Sequence, residues 1–487
     1  MPRGLLLYYA ALMIDLKLLR QDPDVFRRGA RAKGIDVDVD RLVNLDEQRR
    51  ALMAERETKR AEQKRLSKEI GPQIGTLQGQ LKSAQGPQRD AIQKKIQALQ
   101  EKPAELKTEI QSVDRKLAEI EPQWKELWLA VPQPPDPDVP GGDSPADNVE
   151  LRRWSPSWFD PDKPFVDNKG FVPKTHLELV RDLNLVDFER GVKIAGTRSY
   201  VLRGDGARLH QAVLRLALDY IVNEQGFTPL SAPVIVREEA MVGTGFFPTG
   251  RDQAYHIEES KRGAGHDLFL VGTGEVSLMG LHSDDILDAE TLPLKYATVS
   301  TCFRREAGAA GKDTAGLFRV HQFDKVEQVV ICKADEAESR HWHQTMIGIV
   351  ESFLQRLELP YRLVQCCTGD LGPKNADMID IECWMPGRSP GSAPTGENSN
   401  RPSGDWGETH SASRLYDYQC RRLNMRYRDS SGSTVICHSL NNTVAASPRI
   451  LIPILELYQN KDGSVTVPQV LQPHMNGQER ITASPKP

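Results

Sequence analysis

The chain of 487 residues is longer than one ordinary domain, so two or three domains are expected. Hydrophobic content of 39% and charged content of 27% are those of a soluble globular protein, and a net charge of −4 decides nothing about nucleic acid, so an anionic partner needs a local basic patch. Seven cysteines without a C-x-x-C pair favour free thiols in a reducing compartment over a disulfide framework or a zinc ribbon.

In chain order, "MPRGLLLYYAALMIDLKLL" comes first. Leu5 to Ile14 could pass for a weak signal sequence, but Asp15 and Lys17 follow at once and no small-residue cleavage site is visible. The preferred reading is a non-native extension over 1–12, with Met13 as the true start. No apolar run approaches the roughly 20 residues that span a bilayer, so a cytoplasmic protein without a membrane partner is expected.

Residues 40–130 are nearly free of aromatics and rich in Lys, Arg, Glu, Gln and Ala. Ile92, Ile96, Leu99, Leu106, Ile110, Val113, Leu117, Ile120, Trp124 and Leu127 follow a 4-3 spacing, the seam of a coiled coil. The first half carries a poorer seam of Leu45, Leu52, Leu66, Ile70 and Leu77, with Arg49, Arg56, Lys59 and Gln63 between them. "SAQGPQ" (83–88) is the turn of a long antiparallel helical hairpin. Gly71-Pro72 and Pro103 fall at the same height, each costing roughly 3 kcal/mol inside a helix, so an elbow with a more mobile distal arm (72–102) is expected. Two unrelated irregularities are the alternative. "VPQPPDPDVPGGDSP" (131–145) is a stiff linker, and 146–475 mixes strands and helices before a tail at 476–487. Within it, "PGRSPGSAPTGENSNRPSGD" (386–405) reads as a disordered insertion, and heptads are the only internal repeat.

"LFRVHQFDKVE" (317–327) alternates like a strand, placing Arg319, His321, Phe323, Lys325 and Glu327 on one face. With "STCFRREAGAAGKDTAG" before it, the segment reads as strand, Gly-rich loop, strand, and Arg304 and Glu306 join the same face. Arginines match phosphate or carboxylate bidentately, and an exposed ring can stack a base. Residues four apart on a strand lie roughly 13 Å apart, so the face suits an extended, anionic, aromatic ligand. A charged edge hairpin with one stray Phe is the plainer alternative. Cys366-Cys367 reads as a buried pair in a strand.

"REAGAAGKDTAGLFRVHQFDKVE" resembles motif 2 of the class II aminoacyl-tRNA synthetases, specifically the seryl-tRNA synthetases. "GARLHQAVLRLALDYIVNEQGFTPLSAPVIV" (206–236) looks like motif 1, with Pro233 in its strand, and "SLNNTVAASPRILIPILE" (439–456) looks like motif 3, with Arg449. "GTGE" (272–275) stands where the family has its serine-binding T-x-E, and "GETHSAS" (407–413) where it has ligands of ATP-bound metal. Taken with "MIDLKLLRQDP", the resemblance spans about residues 13–475.

The resemblance implies an α+β chain, with a coiled-coil arm followed by a catalytic domain built on a mainly antiparallel sheet flanked by helices. It implies serine-tRNA ligase activity: seryl-adenylate is made from L-serine and ATP, and the seryl group passes to serine tRNA, and to selenocysteine tRNA where present. Arg304 and Arg449 would be catalytic, and no side chain need act as nucleophile. Arg304, Arg305, Glu306, Arg319, Val320, Phe323, Glu408, Thr409, His410, Ser411 and Arg449 would bind ATP, with Phe323 under the adenine opposite Arg449. Glu408 and Ser411 would ligate Mg²⁺. Thr273, Gly274, Glu275, Arg304, Glu327, Asn441 and Thr443 would bind serine: Thr273, Glu275 and Glu327 at the ammonium, Glu327 with Thr443 at the hydroxyl. Such hydroxyl-seeking groups reject Ala or Gly by roughly 10⁴–10⁵, threonine must be refused sterically, and no editing domain is visible. The arm would grip the long variable arm of serine tRNA by backbone and shape, and motif 1 would build a homodimer.

Ala315 replaces the usual Arg of the motif 2 loop, Gly274 replaces the commoner Ala of T-A-E, and Asp377 and Ile379 stand where Lys-x-Tyr usually precedes "DIE". An acid–base role for His321 or His410 is not expected. Two other classes compete: a paralogue activating serine or another small amino acid for a non-tRNA carrier, and a non-catalytic coiled-coil RNA-binding or regulatory protein. The retained arm counts against the first, and intact Arg304, Phe323, Glu327, Glu408 and Arg449 against the second.

Overall fold

The computed structural model describes residues 14–258, 267–307, 316–388 and 404–483. Met13, Ala315 and most of the 386–405 insertion lie outside the described residues. The chain divides into two compact units, residues 16–27 with 36–131, and residues 28–35 with 132 onward.

The first unit follows from the heptads. Helices α1 (Leu16–Gln21) and α2 (Pro23–Ala32) precede α3 (Val39–Leu81) and α4 (Pro87–Ala130), and α3 packs along α4. Asp38 caps α3, accepting from the Arg41 amide at 2.8 Å. Ile92, Leu106, Ile110, Val113, Leu117 and Trp124 are buried in the seam, and Trp128 rather than Leu127 closes it. The basic residues that weakened the α3 seam meet acids on α4: Arg56 and Asp114 are 3.5 Å apart, Lys59 and Glu109 2.6 Å. The Arg49 guanidinium lies 4.4 Å over the Trp124 ring. The expected breaks are absent, for α3 continues through Pro72 and α4 through Pro103. Each proline deletes one backbone hydrogen bond, and helices of 43 and 44 residues keep the rest of their bonds and their seam.

The second unit is built on an eight-stranded sheet. Its strands are β1 (Val149–Trp154), β2 (Thr228–Pro229), β3 (Leu294–Phe303), β4 (Gln322–Cys332), β5 (Tyr361–Gln365), β6 (Asp377–Met385), β7 (Asp405–Tyr416) and β8 (His438–Ser447). Across the sheet they run β1-β5-β6-β7-β8-β4-β3-β2, antiparallel except for the β2–β3 pair. Helices α5 (Asp205–Asp219), α7 (Glu336–Arg356) and α9 (Leu451–Leu457) bury apolar faces against it, and the short helices α6 (Glu275–Gly280) and α8 (Tyr418–Arg422) stand beside the site. The period-2 rule is clear in β6, where Asp377, Ile379, Ile381, Cys383 and Met385 are buried and the residues between them are half-exposed.

Three expectations need correction. Strand β4 starts at Gln322, not at residue 317, so Arg319 and His321 lie on the bend before it. The consecutive residues Leu317 and Phe318 are both buried, which an alternating strand with one exposed face cannot provide. Likewise, β3 ends at Phe303, so Arg304 and Glu306 stand beyond the strand. Cys366 and Cys367 are buried but lie past the end of β5. All seven cysteines are buried and free.

Candidate active site

A cavity of about 850 Å³ opens on the sheet face, walled by β4, β6, β7 and β8 and by the segments around Thr273, Arg319 and Lys374. The 304–306 and 318–320 bends bring Arg304, Glu306, Arg319, Val320 and Phe323 to one wall, where a single strand face was expected to do so. The Arg304 guanidinium lies 5.2 Å from the Phe323 ring centre, and its Nε donates to the Gly272 carbonyl at 3.3 Å. Arg319 Nη1 donates to Glu306 Oε2 at 3.2 Å, and Glu306 holds a left-handed φ of 51° that a non-glycine residue seldom adopts.

Arg449 lies over Phe318 rather than Phe323, 4.4 Å from its ring centre, and Arg388 lies over the same ring at 4.4 Å. The Phe318 and Glu408 carbonyls accept from Arg449 at 3.1 and 3.0 Å. Phe318 is an aromatic that sequence reasoning passed over, and its only signal was its place beside Arg319.

The opposite wall is acidic. Alternation in β6 turns Asp380 and Glu382 to the cavity, across from Ser411 and Glu408 of β7. Glu408 and Ser411 are three residues apart, an odd number that would send them to opposite faces of a regular strand. A register shift between Ile381 and Glu382 removes the conflict. Burial, and then the charge of Glu408, push the Asp380 carboxyl well above its ordinary value. Thr409 and His410 form wall but their side chains turn inward. Thr409 donates to the Ile381 carbonyl at 3.1 Å, and His410 Nε2 lies 3.1 Å from the Val444 carbonyl. Burial pushes the His410 imidazole down to about 3, consistent with no acid–base role.

At the floor each carboxylate has a lysine. Glu275, only 1% exposed, accepts from Lys374 Nζ on both oxygens at 2.6 and 2.7 Å, and from Gln419 of α8 at 2.7 Å. Glu327, fully buried, pairs with Lys325 and accepts from Asn441 at 3.0 Å, and the β4–β8 register sets it opposite Thr443. Lys325, left without a role by sequence, also donates to Thr273 Oγ1 at 2.8 Å. Lys374 and Gln419 were missed altogether, since nothing local marks them. A methyl at Gly274 would come within 2.5 Å of the Thr298 side chain, so glycine fits where the family more often has alanine. Asp377, in place of the usual lysine, is satisfied by Gln365 at 2.7 Å and Arg414 at 3.1 Å. Arg305 is exposed and not part of the wall, and Glu327 sits behind it.

Chemically, arginines with a stacked ring suit a nucleoside polyphosphate, the acidic wall suits a divalent cation, and the balanced floor suits a zwitterion. The seryl-tRNA synthetase N-terminal domain model matches residues 13–135, and the class II tRNA synthetase core model (G, H, P, S and T) matches residues 255–458. Serine–tRNA ligase of Thermomicrobium roseum is 41% identical over 475 residues, covering 97% of this chain and 96% of that one. The Deinococcus radiodurans enzyme is 39% identical over 467 residues, covering 96% and 98%. A crystal structure of Pyrococcus horikoshii seryl-tRNA synthetase complexed with ATP matches with a TM-score of 0.75 at 34% identity, covering 97% and 100%. The structure of the Naegleria fowleri cytoplasmic enzyme with AMP matches with a TM-score of 0.75 at 29% identity, covering 98% and 100%. The chain belongs to the seryl-tRNA synthetase family of class II serine–tRNA ligases.

Proposed function

We propose that the cavity binds ATP and L-serine side by side, forms seryl-adenylate, and presents it to the 3′ end of serine tRNA. The observation that carries this is the convergence of Arg304, Arg319 and Arg449 with Phe323 and the lysine-paired Glu275 in one cavity large enough for both substrates. A serine carboxylate oxygen attacks the α-phosphorus and pyrophosphate leaves; a ribose hydroxyl of the terminal nucleotide then attacks the carbonyl carbon and AMP leaves. Arg304 stabilises charge at the α-phosphate, Arg319 and Arg449 the β- and γ-phosphates, Phe323 the adenine, and Glu306 its amino group. Gly274, Glu275, Glu327, Asn441 and Thr443 frame the serine.

Glu408 and Ser411 would hold Mg²⁺, and the donors fit: all are oxygens, and Asp380, paired across the strands with Ser411, has a buried Oδ1 with no hydrogen-bond partner among the described residues. When bound, the ion neutralises phosphate charge. The arm would hold tRNA, with Lys64, Arg65, Lys68, Lys94 and Lys95 all exposed on it. Ile235, at 47% exposure in the motif 1 segment, is apolar surface in keeping with a homodimer there, and no described helix is long and apolar enough to cross a membrane. Residues 13–130 would form the tRNA-binding domain, 131–145 a linker, 146–475 the catalytic domain, and the site of action would be the cytoplasm.

The test is serine-dependent ATP–pyrophosphate exchange followed by charging of serine tRNA, with sedimentation for the dimer. Exchange and charging together are expected. Exchange without charging would favour a non-tRNA carrier, and absence of exchange would refute the enzyme reading.

A further inference from the structure

Strand β3 ends at Phe303, and the chain beyond it has to find new partners for its backbone. The Arg304 amide donates to the His321 carbonyl at 2.9 Å. Two further amides turn to one residue, Gln253, at the end of the short helical turn Arg251–Gln253. The Arg305 amide donates to the Gln253 carbonyl at 3.0 Å, and the Ala307 amide to Gln253 Oε1 at 3.0 Å. Gln253 Nε2 in turn donates to the Ala307 carbonyl at 2.5 Å. An amide N–H only donates and a carbonyl only accepts, so this two-point contact fixes which way the carboxamide points. Between the clamped residues, Glu306 holds its left-handed φ of 51°. Such a conformation persists only where the surroundings impose it, and Gln253 supplies bonds on both sides of it. Gln253 is not part of the main cavity's lining. It lines a second cleft of about 550 Å³, and Arg304, Glu306 and Arg319 line both.

We propose that Gln253 is a positioning residue for base recognition: it holds the 305–307 bend so that the Glu306 carboxylate faces the base amino group, and thereby favours adenine over a base without that group. The inference rests on the placement of Glu306 at the adenine amino group above. Gln253 touches no substrate and acts only through the backbone it clamps. Its effect is confined to Glu306 because the neighbouring arginines have other anchors. Arg304 is held by the His321 and Gly272 carbonyls, and Arg319 stands on a different bend. The Arg319 bond to Glu306 Oε2 orients the carboxylate, while Gln253 orients the backbone that carries it.

The test compares ATP with purine riboside 5′-triphosphate, which has hydrogen in place of the amino group, in serine-dependent pyrophosphate exchange. The unsubstituted protein is expected to prefer ATP by about tenfold in kcat/KM, the size of a hydrogen bond to a charged group. Gln253→Ala is expected to raise the ATP KM about tenfold and to leave the KM of purine riboside triphosphate and of serine within about twofold. The preference for ATP is then lost. An equal rise for both nucleotides would reduce Gln253 to a general structural role and overturn the proposal, as would no rise for either. In a Glu306→Ala background no carboxylate is left to position, so Gln253→Ala is expected to change the preference no further; a further change there would also overturn it. If Gln253→Ala does not fold, Gln253→Glu is read in the same way, since it keeps the shape and the acceptor but loses the donor to the Ala307 carbonyl. If the unsubstituted protein shows no preference for ATP, the placement of Glu306 fails and the proposal with it. Absence of exchange with either nucleotide would instead refute the enzyme reading.

Discussion

Lys325 and Lys374 bring the buried charge of the cavity floor, the proposed serine subsite, close to balance. Removing one partner of a buried pair costs more than the pair is worth, because the other charge is left unpaired. Lys374→Ala leaves Glu275 with Gln419 as its one side-chain donor. The serine KM in pyrophosphate exchange is expected to rise about tenfold with the ATP KM unchanged, and Lys374→Arg to restore most of it. An equal rise in both constants would mean general disruption. At the other end of the cavity, base stacking is worth about 1–3 kcal/mol, so Phe323→Ala is expected to raise the ATP KM by about 5- to 150-fold while the serine KM moves less than about twofold. An unchanged ATP KM would point to Phe318, which Arg388 and Arg449 both approach at 4.4 Å from the ring centre, as the stacking surface.

Elements carry these residues with varying fidelity to local pattern. Alternation in β6 alone forecasts which side chains reach the cavity, whereas β7 needs its register shift and the 317–321 bend defies its own β-like pattern. The loop before β6, which holds Lys374, is clamped from several sides. Lys33 Nζ donates to the Gly372 and Asn375 carbonyls at 3.0 and 2.5 Å, and the Gln133 amide donates to the Pro373 carbonyl at 2.8 Å. Burial pushes the Lys33 amine down to about 7, against partial opposition from Asp136. The unfolded chain keeps its proton up to about pH 10.4, so between these values it binds more protons than the folded one. Stability from this site is therefore lowest below pH 7 and rises by about 1.4 kcal/mol per pH unit toward pH 10. Denaturant titrations of the chain and of Lys33→Met, compared from pH 7 to 9, are expected to shift in favour of the lysine chain as pH rises. A gap independent of pH would contradict the burial assigned to Lys33.

On the scale of the whole molecule, the two units divide the labour: every cavity residue belongs to the second, and the exposed arm cations belong to the first. Replacing residues 64–105 by a short turn removes Lys64, Arg65, Lys68, Lys94 and Lys95 and spares the Lys59–Glu109 bridge. Pyrophosphate exchange is expected to stay within about twofold, while tRNA charging falls at least about tenfold and loses part of its salt dependence. Equal charging would remove the arm from tRNA recognition. The linear sequence was enough for the coiled-coil seam, which rests on short-range period, while the order of the motifs and the choice of Arg304, Arg319 and Arg449 came from the family resemblance rather than from periodicity. It was not enough for the partners of Glu275 and Glu327, the continuity of α3 and α4 through their prolines, or the contact of Lys325 with Thr273. Lys374 and Glu275 are 99 residues apart, and Lys325 reaches Thr273 across 52. No local periodicity encodes such pairs: they exist only once the fold has removed water from both groups, and at that point an unpaired charge costs more than any propensity can supply.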